Sequence, residues 1–533
     1  MRWDAIVVGS GFGGAMAAHA LVHAGRRVLM LERGGWVARG PHNWGAHGAG
    51  LVTPHYSMES AYEVSAGSRR YREGAWHCVG GQSVFYGAAS FRFRERDFAH
   101  DDGIVGDSGA CWPIGYGDLE PFYARAERLL GVAGEAGADA TDPWRSGPYL
   151  HRPPPLSAPA RRIAEAARRL GLRPFPIPLA ISYRATDSRR GCVGCGTCDG
   201  YACAAEAKND VATGVLPELQ RLGMVLRANT VVVRLARAGA RVVAVHYVDR
   251  VTGEPGRADV DGCVVLAAGA LATPHLLLAS GLGAVSPAAR AVGRYLTRHR
   301  NRLVLGVFPR RPNPGRTFDK QVALHDLYAD APDRDAPRGT LGSIQQLTPN
   351  AGLVRAYLPP GVGGLAAWGA RYALGLLCIA EDQPRAENGV TLAPGVDRYG
   401  LPRLRVRHAH TPRDEAAAAA LVRQARRVLR EAGAVFTLTQ SIETFSHALG
   451  TVRMGPHACS APLDGRGAYR GLDNLFVADG SALPRAGGVN PSLTIAANAL
   501  RVGTHAAESL PGAPSLHVGA PRARRLLPTL ESA

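Results

Sequence analysis

Three glycines near the start of the chain have the spacing of a dinucleotide-binding turn. Gly9, Gly11 and Gly14 follow a short apolar run, and Glu32 lies 18 residues after the last of them. The first glycine permits a tight turn, the second lets a pyrophosphate approach the backbone, and the third lets a helix pack closely. Glu32 can accept hydrogen bonds from both ribose hydroxyls and would repel a 2′-phosphate, which argues against NADP. The motif predicts a bound dinucleotide and leaves NAD and FAD open.

A histidine and an asparagine near the end of the chain could act on a hydroxyl group. His447 can be a base near neutral pH, and Asn490 offers a donor and an acceptor but cannot titrate. Together they could hold an alcohol O–H while its carbon loses hydride. Asn490 and Pro491 also precede a predicted helix, whose first N–H groups could face the polar edge of a flavin. Against this, a lone histidine is often a surface or core residue, and Asn-Pro is often only a turn.

Four of the nine cysteines lie within twelve residues: Cys192, Cys195, Cys198 and Cys203. The first three have ferredoxin-like spacing, but the last gap is four residues instead of three, and no proline follows Cys203. Thiolates at this spacing could bind an iron–sulfur cluster or zinc. The alternative is a tight loop with buried thiols or one disulfide. The spacing leaves both interpretations open.

The elements around these motifs alternate between strands and helices. Residues 4–8 and 28–32 are predicted strands on either side of a helix over 15–24. Residues 300–410 alternate short apolar runs with turns, which predicts an antiparallel sheet. The stretch 34–116 is rich in glycine and aromatic residues and shows no clear period. The order of elements therefore predicts a parallel α/β unit combined with an antiparallel one.

A capped helix is predicted after residue 410. Thr411 can cap its start, Pro412 suits the first helical position, and Asp414 can complete a capping box. A shorter helix is expected over 211–223 despite Pro217.

Composition excludes several classes of protein. Of 533 residues, 46% are hydrophobic and 20% are charged, which excludes a disordered chain. Lysine and arginine outnumber acidic residues by 62 to 44, giving a net charge of +18. Only Lys208 and Lys320 are lysines, and the arginines are scattered, so we expect no nucleic-acid partner. We find no leader pattern, interpret 363–380 as a buried core segment, and expect a cytoplasmic protein without a transmembrane segment.

Taken together, the motifs resemble the glucose–methanol–choline (GMC) oxidoreductases, a family of flavin-dependent alcohol oxidases and dehydrogenases. The resemblance follows the family's order over nearly the whole chain. The blocks that carry it are Gly9–Gly14 with Glu32, 80–87, 266–274 with 280–281, 388–392 with 397–402, and 447–491. The cysteine-rich segment is similar to a branch that contains gluconate and fructose dehydrogenases, which pass electrons onward rather than to oxygen.

The resemblance implies an α/β fold in which a Rossmann-like FAD-binding domain is interleaved with an α+β substrate domain built on an antiparallel sheet. We expect the FAD-binding domain at 1–92, 190–300 and 440–510. The substrate-binding domain is expected at 93–189 and 301–439, and a mobile tail at 511–533.

The family's site residues carry over by resemblance. His447 is then the active-site base and Asn490 its partner, both near flavin N5, and Asp479 and Gly480 lie by the phosphate and ribityl side. The residues expected to bind FAD are Gly9, Gly11, Gly14, Glu32, Gly80, Gly81, Ser83, Asp479, Gly480, Asn490 and Pro491. Two positions depart from the family pattern. Tyr86 stands where many members have asparagine, and Phe85 stands where a related branch has a histidine bonded to FAD. We therefore predict non-covalent FAD.

The predicted function is the FAD-dependent oxidation of a small-molecule alcohol to an aldehyde or ketone, by hydride transfer to flavin N5 with His447 as base. The electron acceptor stays open between a quinone, a partner protein and oxygen. The alternatives are an oxygen-using sterol or alcohol oxidase, a lyase on the same scaffold, and a non-catalytic flavin-binding protein. The sequence does not name the alcohol.

Overall fold

The computed structural model describes residues 2–45, 50, 53–67, 69–186, 189–329, 337–347, 349 and 362–512. Its strands are β1 Trp3–Val8, β2 Val28–Leu31, β3 Tyr56–Ala66, β4 Arg69–Trp76, β5 Phe175–Pro176, β6 Val225–Arg227, β7 Thr230–Ala238, β8 Arg241–Asp249, β9 Pro255–Leu266, β10 Arg300–Val307, β11 Val322–Leu324, β12 Gly342–Leu347, β13 Ala373–Ala380, β14 Gly389–Val396, β15 Pro402–His408, β16 Phe436–Ile442 and β17 Leu475–Val477. Its α-helices are α1 Phe12–His23, α2 Glu95–Phe98, α3 Asp102–Val105, α4 Tyr116–Leu129, α5 Ala158–Arg169, α6 Val215–Arg221, α7 Ala272–Ala279, α8 Val362–Gly369, α9 Pro412–Glu431 and α10 Ser492–Glu508.

The first sheet has a parallel centre that ends at one common edge. Its seven strands run in the order β6-β2-β1-β9-β8-β7, with β17 also paired to β9. Val8 is in register with Leu31 and with Leu266, and Leu266 is in register with Val477. The carboxyl ends of four strands therefore lie side by side. In open parallel sheets this edge is where ligands bind.

The second sheet is antiparallel, as predicted for the region after residue 300. Its order is β16-β10-β13-β12-β11-β5. One face packs against α9 and α5 in a separate hydrophobic core that includes Val304, Ile344 and Leu421. The other face carries Ser343 and Gln345, because alternate residues of a strand point to opposite faces. This second face lies toward the site described below.

A third sheet covers a stretch for which the sequence showed no pattern. Its order is β14-β15-β3-β4, and β15 runs parallel to β3. The hairpin of β3 and β4 lies within 34–116. Its outer strand β4 is largely exposed or half-buried, with only Gly74 buried. A strand with so little burial needs no apolar alternation, which explains why no period was visible.

The capped helix starts where predicted, the helix predicted over 211–223 is present but shorter (Val215–Arg221), and one expectation is wrong. Thr411 Oγ1 accepts from the N–H of Asp414, and Asp414 Oδ2 accepts from the N–H of Thr411, which completes the predicted capping box. Pro217 lies in the first turn of α6, where the backbone N–H that proline lacks would have no acceptor within the helix. Residues 363–380 are not one buried segment: β13 is buried, but Leu365 and Trp368 of α8 are exposed.

Among the described residues, no helix combines the length and the apolar character needed to cross a membrane. Most of the predicted tail, 513–533, lies outside the described residues.

Candidate active site

One cleft lies at the carboxyl edge of the first sheet. It measures about 1600 Å³, counting the space at its open mouth. Its walls include the turn 9–13, Glu32, the segment 267–272, His447 and the pair Asp479–Gly480. Gly81, Ser83 and Pro491 also line it. The structure thus brings the predicted nucleotide motif and the predicted base to one continuous cavity.

The glycines of the first motif leave room for a ligand at the start of α1. Gly9 has a φ of +97°, and a Cβ there would lie 2.4 Å from the carbonyl oxygen of Ala267. A Cβ at Gly14 would lie 1.9 Å from the carbonyl oxygen of Gly9, so the helix packs directly on the turn. A Cβ at Gly11 would meet only the carbonyl oxygen of Gly80, at 3.9 Å. The wall at Gly11 is therefore free for a ligand beside the unpaired N–H groups of the helix.

Glu32 is fixed by the same turn. Its Oε2 accepts from the backbone N–H and the hydroxyl of Ser10, and its Oε1 accepts from the N–H of Gly34. Burial raises the pKa of Glu32, against the lowering effect of these hydrogen bonds. Ser10 Oγ in turn accepts from the N–H of Gly80. These hydrogen bonds fix the orientation of the carboxylate at the cleft wall, and Gly80 acts through the Ser10 hydroxyl that donates to this carboxylate.

Asp479 joins two turns below the cleft. One carboxylate oxygen accepts from the N–H of Gly269 and the hydroxyl of Thr273, and the other accepts from the N–H and hydroxyl of Ser481. Burial raises the pKa of Asp479 against these bonds. Asp479 therefore shapes the cleft by holding the loops after β9 and β17 together.

His447 is half-buried in the cleft wall and contacts a second histidine. Its Nδ1 lies 3.0 Å from Nδ1 of His299, whose Nε2 lies 2.8 Å from the carbonyl oxygen of Gly487. Burial, the imidazole of His299 and the ammonium of Lys320 lower the pKa of His447 to about 3, although Asp382 opposes them. His447 is therefore uncharged at neutral pH, which is the state a base needs.

Asn490 is held by the antiparallel sheet. Its Oδ1 accepts from Nε2 of Gln345 at 2.8 Å, and Nε2 of Gln345 also bonds Ser343 Oγ at 2.9 Å. With its oxygen occupied, the amide of Asn490 has its NH₂ group left to donate. Asn490 stands three residues after Gly487, so one short segment contacts both Gln345 and His299. Neither His299 nor Gln345 was a candidate in the sequence.

A group of potential metal ligands lies behind His299. Within the described residues, Asp382, His408 and His410 bring one ligand atom each within 4.8 Å of one another. Both oxygens of Asp382 are already occupied. One accepts from the N–H of His299, and the other from the N–H of Arg298 and from His408 Nε2. We assign this group as a brace for the backbone of His299.

The sulfur atoms of the four clustered cysteines do not come together into one site. All are free thiols, so the predicted alternative of a disulfide is also wrong for them. All four lie within the described residues, yet no three of their sulfur atoms come within 4.8 Å of one another. An iron–sulfur cluster is therefore not supported.

Two buried lysines hold the cysteine segment instead. Lys208 donates to the carbonyl oxygens of Tyr86, Cys198 and Tyr201 at 2.7 to 2.9 Å. Lys320 donates to Asp199 at 2.6 Å. These are the two lysines of the chain, and both fix the loop 192–203 against its surroundings.

The chain is similar to known proteins in sequence and in structure. Models described as GMC oxidoreductase match residues 151–301 and 384–499. The chain is 31% identical to the 6'''-hydroxyparomomycin C oxidase of Streptomyces lividus, over 97% of this chain and 93% of that protein. It is 25% identical to the fructose dehydrogenase large subunit of Gluconobacter japonicus, over 93% of this chain and 96% of that protein.

A solved structure shows the same fold. Pyridoxine 4-oxidase from Mesorbium loti matches with a TM-score of 0.64 at 21% identity, covering 94% of this chain and 99% of that chain. The match confirms the predicted fold class.

Proposed function

The chain belongs to the GMC oxidoreductase family as an FAD-dependent oxidoreductase of CH–OH groups, and we propose that His447 is the base that takes the hydroxyl proton of the substrate. The observation that carries this proposal is the single cleft shared by the turn 9–13, Glu32 and His447. A nucleotide bound at one end and an alcohol held at the other would then meet within one cavity.

The residues of the cleft fit FAD. The bare wall at Gly11 and the free N–H groups of α1 suit a pyrophosphate, and Glu32 suits a ribose. Bound FAD would supply the hydride acceptor of the reaction. We propose that FAD is held without a covalent bond, because the hydrocarbon ring of Phe85 offers no nucleophile. The interleaved division into an FAD-binding and a substrate domain stays part of this proposal, as does the cytoplasmic location.

His447 and Asn490 would hold the reacting hydroxyl from two sides. A neutral imidazole nitrogen of His447 accepts the O–H, and the NH₂ group of Asn490 donates to the same oxygen. Both side chains are fixed by neighbours, so little orientation is lost when the alcohol binds. The proton leaves to His447 as the carbon is oxidised.

We propose a hydroxyl-rich substrate of the aminoglycoside or sugar type rather than a sterol. Gln345 Oε1 and Asn301 Oδ1 are buried on the antiparallel sheet without a hydrogen-bond partner. Buried polar atoms of this kind favour a ligand that brings its own donors. The similarity to the 6'''-hydroxyparomomycin C oxidase supports the same class. We leave the electron acceptor open.

The test is an anaerobic absorption spectrum of the purified protein before and after addition of four alcohols. We expect flavin absorption that bleaches with paromomycin or D-glucose and not with cholesterol or benzyl alcohol. Flavin that every alcohol leaves oxidised would contradict the proposal and would favour a lyase or a non-catalytic flavoprotein.

A second measurement tests the mode of attachment. After acid precipitation, all of the yellow colour should stay in the supernatant. Flavin in the washed pellet would show that the cofactor is covalently bound.

A further inference from the structure

We propose that His299 is a positioning residue that sets the tautomer of His447, so that the bare nitrogen of the base is Nε2. The proposal rests on the role of His447 proposed above and goes beyond it, because it explains which ring nitrogen takes the proton. His299 does not need to touch the substrate for this role.

The hydrogen bonds allow one assignment when both rings are neutral. A carbonyl oxygen only accepts, so His299 must donate to Gly487 from Nε2, over 2.8 Å. A neutral imidazole carries one N–H, which leaves His299 Nδ1 as an acceptor. His447 Nδ1, at 3.0 Å, must then donate to it. Nε2 of His447 is thereby left without a hydrogen, as an acceptor for the substrate hydroxyl.

Protonation of His299 would reverse this order. A charged His299 donates from both nitrogens, so His447 Nδ1 becomes the acceptor. His447 then carries its hydrogen on Nε2 and has no lone pair for the alcohol. The pair is therefore a competent base only when both rings are neutral.

The backbone supports a dedicated role for His299. Its φ is +62°, in the left-handed region that a residue with a side chain rarely adopts. Asp382 holds this conformation by accepting from the N–H groups of Arg298 and His299. His410 Nε2 bonds the carbonyl oxygen of His299 at 3.2 Å. Strained backbone persists where the surroundings fix it, and here they fix the ring that contacts the base.

The surroundings of the pair favour a neutral His447. Lys320 just before β11 and Asp382 just after β13 act on His447, His410 contacts the carbonyl oxygen of His299, and Glu73 on β4 lines the same cleft. Burial comes first among the causes that lower the pKa of His447, and the imidazole of His299 comes second. Removing His299 should therefore move the acid limb of the pH–rate profile to higher pH.

Three variants of His299 test the proposal. His299→Phe keeps a ring but has no acceptor. His299→Asn places an oxygen close to the position of Nδ1 and tolerates a positive φ. His299→Gly relieves the backbone strain and leaves space for added imidazole. The surface variant His100→Ala is the control, because His100 is exposed.

The readout is the anaerobic rate constant of flavin reduction as a function of pH, at equal FAD content. We expect His299→Phe to lose about 100-fold on the plateau. His299→Asn should stay within about tenfold of wild type, and imidazole should restore His299→Gly. All three should show a raised acid limb. Equal losses in all three variants with an unmoved acid limb, or a wild-type rate in His299→Phe, would overturn the proposal.

Nitrogen-15 spectra of histidine-labelled protein test the tautomer without turnover. His447→Gln identifies the signals of His447 by their loss. The proposal predicts a protonated Nδ1 and a bare Nε2 for His447 in the wild type and in His299→Asn. A protonated Nε2 in the wild type would contradict it. If His447→Gln itself reduces flavin at the wild-type rate, the proposed base is wrong, which is a separate failure.

Discussion

Two regions of this molecule offered groups for chemistry, and they differ in how those groups are held. His447 lines the cleft, Asn490 directly precedes Pro491 of the cleft wall, and each is bonded to a partner from a distant part of the chain, His299 and Gln345. In the loop 192–203, four cysteines lie close in sequence but bring no three sulfurs together. There the contacts that hold the loop come from Lys208 and Lys320.

The difference shows that closeness along the chain is weak evidence for a site. A site requires side chains that point to a common position, and hydrogen bonds to fixed neighbours hold them in that orientation. The cleft has such bonds, whereas the cysteine loop uses its polar contacts to hold its own backbone. The following experiments test this contrast.

Among the experiments on this contrast, the largest effect is expected from Gly11→Val, which fills the bare wall of the cleft. The Cβ would meet only one atom of the protein, so the fold should survive while FAD loses its space. We expect the FAD content of the purified protein to fall at least tenfold, and alcohol oxidation with it. Gly117→Ala is the control, since its added Cβ meets nothing within 4 Å. A Gly11→Val protein that retains stoichiometric FAD would contradict the placement of the nucleotide.

Lys208→Met should lower the free energy of unfolding by weakening the cysteine loop. It leaves three buried carbonyl oxygens without their donor, and each unmade bond costs about 1–3 kcal/mol. We expect the free energy of unfolding in urea to fall by at least about 3 kcal/mol. A midpoint equal to that of the wild type would show that Lys208 does not hold the loop.

The pH profile of the cleft should lack an ordinary histidine limb. With a pKa of about 3, His447 stays neutral well below pH 6.5, so the flavin-reduction rate constant should vary less than about twofold between pH 5 and 8. The unfolded chain would bind this proton near pH 6.5, so the folded state loses stability as the pH falls below that value. Brief pH jumps therefore suit the measurement. A limb centred near pH 6.5 would contradict the neutral state assigned to the base at that pH.

The smallest effect is expected from the thiols. Replacing Cys192 and Cys203 by serine should leave FAD content and flavin reduction within about twofold of wild type. The two side chains are half-buried and, among the described residues, belong to no group of three potential metal ligands. If the wild type contained stoichiometric iron and this variant lost it, the cysteine loop would be a metal site and its contrast with the cleft would be wrong.

The sequence predicted the parts of the molecule that depend on local pattern. Thr411, Pro412 and Asp414 predicted a helix start, and Gly9, Gly11 and Gly14 predicted a nucleotide turn. Both motifs could be interpreted because they depend on residues at short, fixed spacing along the chain. It also named the family, which the comparisons confirm. It missed His299 and Gln345, since an isolated histidine just before a strand, or an isolated glutamine on one, has no spacing to interpret. Their roles depend on tertiary contacts with His447 and Asn490.

The most direct test of the account is the anaerobic reduction of bound FAD in His447→Ala, with the alcohol that reduces the wild type fastest. The account predicts unchanged FAD content and a rate constant about 1000-fold below that of the wild type, since a positioned base contributes about 10²–10⁴-fold. The control His100→Ala should match the wild type. A His447→Ala rate constant within tenfold of the wild type would contradict the assignment of His447 as the base.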